Sequence, residues 1–348
     1  MTTTPSIGPR IAQVGAISLG TPNLEKSLHF FRDLLGMEEV QRIGDTVYLR
    51  GYQELKHHSL ILFASEEAIV DSYSFRVARP EDVELFYKEL LAREVEVVEL
   101  ERGHQAGRGT AVRFLVPHSD HPFELYYDIE APLAPEEIRS KLPSNSSRRR
   151  GLGVRRIDHF NVQAAPQHVG AAEQWLRDAF AFKRREFVSI PEANDTLVAS
   201  WLSVTPQVHD LAIAMSPEEK NGQLHHVAFN LENHSDLLVA ADVLRDHDVK
   251  FDVGPGKHGI AQSMYLYLRD PGSGHRVELY AGGYYIFEPD WEALKWTPAN
   301  MNYGATWFGD PLEIGPDSSM NSSTNSAALG SLLSKGAATP TPLTARQP

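Results

Sequence analysis

The short run Val277-Glu278-Leu279-Tyr280 has an earlier copy at Phe123-Glu124-Leu125-Tyr126. Working back from each copy, Ser72-Tyr73-Ser74-Phe75 falls on His226-Val227-Ala228-Phe229, and Val14-Gly15-Ala16-Ile17-Ser18 falls on Ile157-Asp158-His159-Phe160-Asn161. Ser72 and Glu124 are as far apart as His226 and Glu278, so the two halves keep register across that span. Repetition on this scale sets the architecture before any single motif does, because each repeat is one supersecondary unit.

Within the first unit, Val14 to Leu19 reads as a strand. Asn23 then opens an amphipathic helix that carries Phe30, Phe31, Leu34 and Leu35 and stops at Gly36. Strands follow near Thr46 to Leu49 and His58 to Phe63, with room for one more. The order restarts with strands at Tyr73 to Val77, Ile157 to Val162 and His225 to Leu231. The helices after them begin near Pro80-Glu81-Asp82, Val169-Gly170-Ala171 and Ser235-Asp236. The expected class is α+β, with four βαβββ modules paired into an N-terminal domain (1–132) and a C-terminal domain (155–314). A Pro-, Ser- and Arg-rich linker (133–154) separates them, with Arg148, Arg149 and Arg150 expected to be solvated. Residues 315–348, almost without bulky apolar side chains, are expected to be a disordered tail.

The bulk properties fit this plan. The chain has 348 residues, 42% hydrophobic and 23% charged, enough for two ordinary cores. A net charge of -13 speaks against a nucleic-acid partner, since phosphate binding rests on Lys and Arg. There is no cysteine, no apolar run near the roughly 20 residues that span a bilayer, and no signal-like pattern in Met1-Thr2-Thr3-Thr4-Pro5. A cytoplasmic protein without a membrane partner is expected.

Three equivalent strand positions read Ala16, Ser72, Glu124 in the first half and His159, His226, Glu278 in the second. Singly, each histidine could be a satisfied strand residue. Jointly, two imidazoles and a carboxylate on adjacent strands can occupy one face of a divalent metal and leave the other positions open, as in non-haem oxygenases. His225 competes with His226 for the ligand role. Strand alternation sends the two to opposite faces, and the alignment with Ser72 favours His226.

The segments Arg156 to Asn161, Leu224 to Phe229, Gly254 to His258 and Tyr265-Leu266-Tyr267-Leu268-Arg269-Asp270-Pro271 resemble those of extradiol catechol dioxygenases of the vicinal oxygen chelate superfamily, above all catechol 2,3-dioxygenases. The likeness spans about residues 12–312. It departs at one point, a turn one residue longer than usual between Pro271 and Glu278, which Gly272 or Gly274 could absorb at positive φ.

The resemblance implies the vicinal oxygen chelate fold, each domain an incomplete β-barrel around a funnel. It implies Fe(II), or alternatively Mn(II), on His159, His226 and Glu278, with metal in the C-terminal domain only. It assigns proton transfer beside dioxygen to His209, a hydrogen bond to the metal-bound substrate oxygen to Tyr267, and a place near the other hydroxyl to His258. Asn161 and Trp201 become substrate neighbours. The implied reaction is ring cleavage of a catechol by dioxygen beside the diol, giving a 2-hydroxymuconic semialdehyde type of product, in a homo-oligomer, by resemblance a tetramer. Two alternatives stay open, a homoprotocatechuate 2,3-dioxygenase and a metal-dependent lyase or isomerase. The first is disfavoured because Gly304, Ala305 and Val253 stand where an acidic side chain would need basic partners, so catechol or a small neutral alkyl- or halocatechol is expected.

Overall fold

A computed structural model describes residues 8–133, 136, 139, 141–312 and 319–329. Four modules are present. The first runs β1 (Ile11–Thr21), α1 (Leu24–Leu28), β2 (Glu38–Ile43), β3 (Thr46–Arg50) and β4 (Leu60–Ala64); the second runs β5 (Ile69–Val77), α2 (Asp82–Ala92), β6 (Val97–Leu100), β7 (Ala111–Leu115) and β8 (Pro122–Tyr126). The third runs β9 (Arg156–Ala164), α3 (Val169–Phe180), β10 (Lys183–Ile190), β11 (Thr196–Ser203) and β12 (Leu211–Met215). The fourth runs β13 (Gln223–Asn230), α4 (His234–Asp246), β14 (Phe251–Lys257), β15 (Ser263–Arg269) and β16 (Arg276–Gly282), followed by β17 (Leu294–Trp296), α5 (Met301–Ala305) and β18 (Thr324–Asn325).

The modules pair into two sheets, β2-β3-β4-β1-β5-β8-β7-β6 and β14-β15-β16-β13-β9-β12-β11-β10-β17, with β18 on β13. In every module the first strand lies parallel to the last, and the two modules of a sheet join antiparallel through β1 and β5 or β9 and β13. This gives the α+β vicinal oxygen chelate plan. The register confirms the alignment of the halves: Ser74 faces Glu124 as Ala228 faces Glu278, and Ile17 faces Tyr73 as Phe160 faces Val227. One apolar core runs through both halves, with Phe160 packed edge-on against Tyr73 and Phe75 (ring centroids 5.4 and 5.6 Å) and Phe86 against Phe180 (5.3 Å). Edge-to-face geometry suits the ring quadrupoles.

Three expectations need correction. The first helix is α-helical only through Leu28; His29–Leu34 is a wider π-turn in which the Leu35 N–H reaches the Phe30 carbonyl at 2.9 Å. The wider turn lets Phe30, Phe31, Leu34 and Leu35 all reach the core. Part of the linker is strapped down: Arg148 pairs with Glu38 (2.6 Å) and Arg149 with Asp236 (2.8 Å), while Leu152 and Val154 are buried. Gly36 makes that strap fit, since at φ +81° a Cβ there would meet the Arg150 carbonyl oxygen at 1.8 Å.

Residues 319–329, expected to be disordered, dock instead. Thr324 and Asn325 pair with Leu224 and Gln223, Ser326 bridges Val70, and Ala327 and Leu329 are buried. Backbone pairing against a strand edge replaces the apolar side chains whose scarcity had suggested disorder. The rest of the expected tail lies outside the described residues.

Candidate metal centre

β9, β13 and β16 are neighbours in the second sheet, and their side chains turn inward together. His159 Nε2, His226 Nε2 and Glu278 Oε2 form a near-equilateral triangle, with sides of 3.1, 3.1 and 3.3 Å. All three residues are buried. An octahedral metal with bonds of about 2.1 Å has neighbouring ligand atoms about 3 Å apart, so these atoms fit one face of a divalent ion.

Second contacts aim the imidazoles. His159 Nδ1 donates to Asp158 Oδ1 at 3.0 Å, and Asp158 is held by Arg156 at 3.0 Å. His226 Nδ1 lies 2.6 Å from His225 Nδ1. A carboxylate or ring nitrogen behind a ligand histidine directs its other nitrogen forward. The expectation that His225 points to the opposite face is therefore incorrect. A bulge between Leu224 and His226 breaks the alternation, and His225 lines the same cavity as its neighbour.

Electrostatics separate the two halves. Burial pushes the Glu278 carboxyl up, but attraction to His226 and hydrogen bonds from His159 and His226 outweigh it and hold the acid well below its usual range. Among the described residues its ion-pair partners are all imidazoles: His159, His226 and His258. The equivalent Glu124 is met by guanidinium groups. Arg108 pairs with Oε1 and Arg113 reaches Oε2 at 2.8 Å, with His104 at 3.1 Å. Guanidinium groups thus meet this carboxylate, whereas imidazoles meet its counterpart in the second half.

The same cavity, about 550 Å³, receives the other predicted residues. The His209 ring sits 3.9 Å from that of His159, buried, with Nδ1 unpartnered among the described residues. His258 Nδ1 donates to the Ala305 carbonyl at 2.5 Å, which leaves Nε2 to accept the Tyr267 hydroxyl at 3.1 Å. Tyr267 pairs directly with Glu278 across β15 and β16. Burial and Glu278 push its phenol well above the ordinary value, so it stays protonated. Asn161, its Oδ1 buried and unpartnered, and Trp201 both line the cavity.

Around the turn before Glu278, expected to be longer than usual, the strand register runs unbroken from Ser263 and Gly282 to Arg269 and Arg276. Gly274 holds positive φ (+78°) in this turn, while Gly272 packs on α1, where a Cβ would lie 2.3 Å from Ser27 Oγ. Sequence reasoning missed Asp158, visible in hindsight as a carboxylate beside the candidate ligand His159, and the cavity-lining Tyr280, Met320 and Asn321. The last two lie in a polar segment that carries no periodic signal.

The family model described as the Glyoxalase/Bleomycin resistance protein/Dioxygenase superfamily matches residues 10–128 and 156–279, and the chain belongs to that superfamily. Within it, this is an extradiol ring-cleavage dioxygenase. The chain is 46% identical over 308 residues to a manganese-dependent 2,3-dihydroxybiphenyl 1,2-dioxygenase of Geobacillus genomosp. 3, covering 88% of this chain and 96% of that protein. It is 34% identical over 315 residues to a metapyrocatechase of Geobacillus stearothermophilus, covering 88% and 92%. Homoprotocatechuate 2,3-dioxygenase from Brevibacterium fuscum, solved with 3,4-dihydroxyphenylacetate, superposes with a TM-score of 0.81 at 26% identity, covering 94% of this chain and 97% of that one.

Proposed function

We propose that His159, His226 and Glu278 hold one Fe(II) or Mn(II) ion, that the N-terminal half holds none, and that the centre opens neutral catechols beside the diol. The observation that carries this reading is the contrast between Glu278, faced by imidazoles, and Glu124, neutralised by arginines. A bound metal would supply Lewis-acid binding of the two diol oxygens and a neighbouring position for dioxygen.

The chain's own residues handle protons and orientation. His258, its tautomer set by the Ala305 carbonyl, presents a basic Nε2 toward the Tyr267 hydroxyl; Tyr267 receives one substrate oxygen and His258 lies near the other. His209, on the other side of His159, transfers a proton after dioxygen has bound, to the oxygen freed as the O–O bond breaks; that oxygen is taken up again as the ring opens, so both atoms of dioxygen enter the semialdehyde product. Trp201 and Asn161 border the ring.

The lining contains no Lys or Arg among the described residues. Ala305 gives only its carbonyl, and Gly304 is covered by Trp296. This supports catechol and small neutral alkyl- or halocatechols over a homoprotocatechuate-like acid. An aryl-substituted catechol is a second reading, supported by the apolar wall of Val188, Met215, Leu312 and Met320 and by the relative that acts on 2,3-dihydroxybiphenyl. A lyase or isomerase is disfavoured because all three donors lie in one half. The same reading includes a cytoplasmic homo-tetramer by resemblance; the exposed aromatics Tyr285, Phe287, Tyr303 and Trp307 suit a subunit interface, and among the described residues no helix is long and apolar enough to cross a membrane.

The test pairs metal analysis with oxygen uptake over a panel of catechols. We expect close to one Fe or Mn per chain and ring-opened product from neutral catechols. His226→Ala should lose most of the metal, and His225→Ala should weaken retention about 10- to 100-fold as the loss of a supporting contact. Near two metals per chain, or full retention in His226→Ala, overturns the assignment.

A further inference from the structure

Glu186 lies in β10, away from the ligands, and is buried. Its carboxylate collects three neutral donors from three separate segments. The Ala261 N–H reaches Oε1 at 2.7 Å, the Tyr284 hydroxyl reaches Oε1 at 2.9 Å, and the Trp296 indole N–H reaches Oε2 at 2.7 Å. No Lys or Arg pairs with it among the described residues. Burying a carboxylate without a cation is costly and calls for a reason.

Two of these donors belong to segments that flank His258. Ala261 and Gln262 both hold left-handed backbone (φ +56° and +55°), a conformation that side chains other than glycine rarely adopt, in the turn that follows His258. The Glu186 bond to the Ala261 N–H braces that turn. On the other side, Trp296 covers Gly304, whose carbonyl accepts the Gly259 N–H at 2.9 Å, while the next carbonyl, that of Ala305, accepts His258 Nδ1. Both walls that clamp His258 are therefore anchored on one carboxylate.

We propose that Glu186 is a positioning residue for His258, fixing the turn and the facing carbonyl so that Nε2 is directed at Tyr267. This rests on the reading of His258 as a substrate-side group. Glu186 touches no ligand atom, so its loss acts on turnover through His258 and leaves metal content unchanged.

The test is a double-mutant cycle on the metal-loaded enzyme with Glu186→Gln, His258→Asn and the pair, reading metal content, kcat and KM. Glu186→Gln alone should lower kcat about 10- to 100-fold with metal content held. In the His258→Asn background the same change should cost less than about 2-fold, because its route is already cut. Trp296→Phe, which removes one donor and keeps the ring, should show the same coupling more weakly and serves if Glu186→Gln does not fold. An equal loss in both backgrounds, or no loss in the first, overturns the positioning role while leaving His258 in place. A His258→Asn enzyme with wild-type turnover overturns the role of His258 itself, and with it this one.

Discussion

Replacing Arg108 with Met tests whether a guanidinium does in the N-terminal half what a metal is proposed to do in the other. Arg108 is buried. It donates to Ser74 Oγ (3.0 Å) and His58 Nε2 (3.1 Å), pairs with Glu124, and lies 4.0 Å over the Tyr126 ring. Methionine fills similar volume but leaves Glu124 without its strongest partner. Breaking a buried ion pair from one side costs about 3–5 kcal/mol, and because Arg113 still meets Oε2 the lower figure, about 3 kcal/mol, is expected. The assay is urea unfolding of the metal-loaded protein, with metal content measured in parallel and expected to be unchanged.

The pH dependence supplies the sign. Burial pushes the Glu124 carboxyl up, but Arg108, then His104 and Arg113, hold it well below the ordinary 4.5. Its contribution is therefore fully present above pH 4.5 and lost as pH falls below that value. Without Arg108 the carboxyl rises, the variant tolerates protonation better, and the gap to wild type should narrow as pH falls toward and below the ordinary carboxylate value of 4.5. Adding Glu124→Gln should recover part of the loss at pH 7. A loss below about 1 kcal/mol, or one that neither acid nor Glu124→Gln reduces, refutes the reasoning.

The remaining expectations concern a proton carrier and a seam. His209→Asn should keep metal content and catechol affinity while turnover falls about 10²- to 10⁴-fold in stopped-flow or oxygen-electrode assays; lost metal would make His209 a ligand, and unchanged turnover a bystander. His121 donates from Nε2 to the Gln223 carbonyl at 3.0 Å, joining the two halves, and burial lowers it from 6.5 to about 4. Because its folded value is depressed, its share of stability is present above pH 6.5 and lost as pH falls toward 4, about 3 kcal/mol at about 1.4 kcal/mol per unit. His121→Gln should show a flatter dependence of the urea midpoint on pH across that window, and identical slopes would count against it.

The repeat itself carried most of the fold. Strand period, helix starts and the register between halves are local or pairwise properties of the chain, so the four modules and the positions of His159, His226 and Glu278 could be read from residue order. What escaped depended on contacts between distant segments. The π-turn at His29–Leu34 answers to a shared core and not to helical period. The bulge that brings His225 beside His226 is a strand-pairing event that alternation cannot show.

Residues 319–329 look disordered by composition, yet β18 finds an open strand edge and Met320 reaches the cavity. Glu186 and Arg108 lie outside the aligned ligand positions. Their meaning comes from what folding buries beside them, because the cost of a buried charge depends on neighbours that only the tertiary structure supplies.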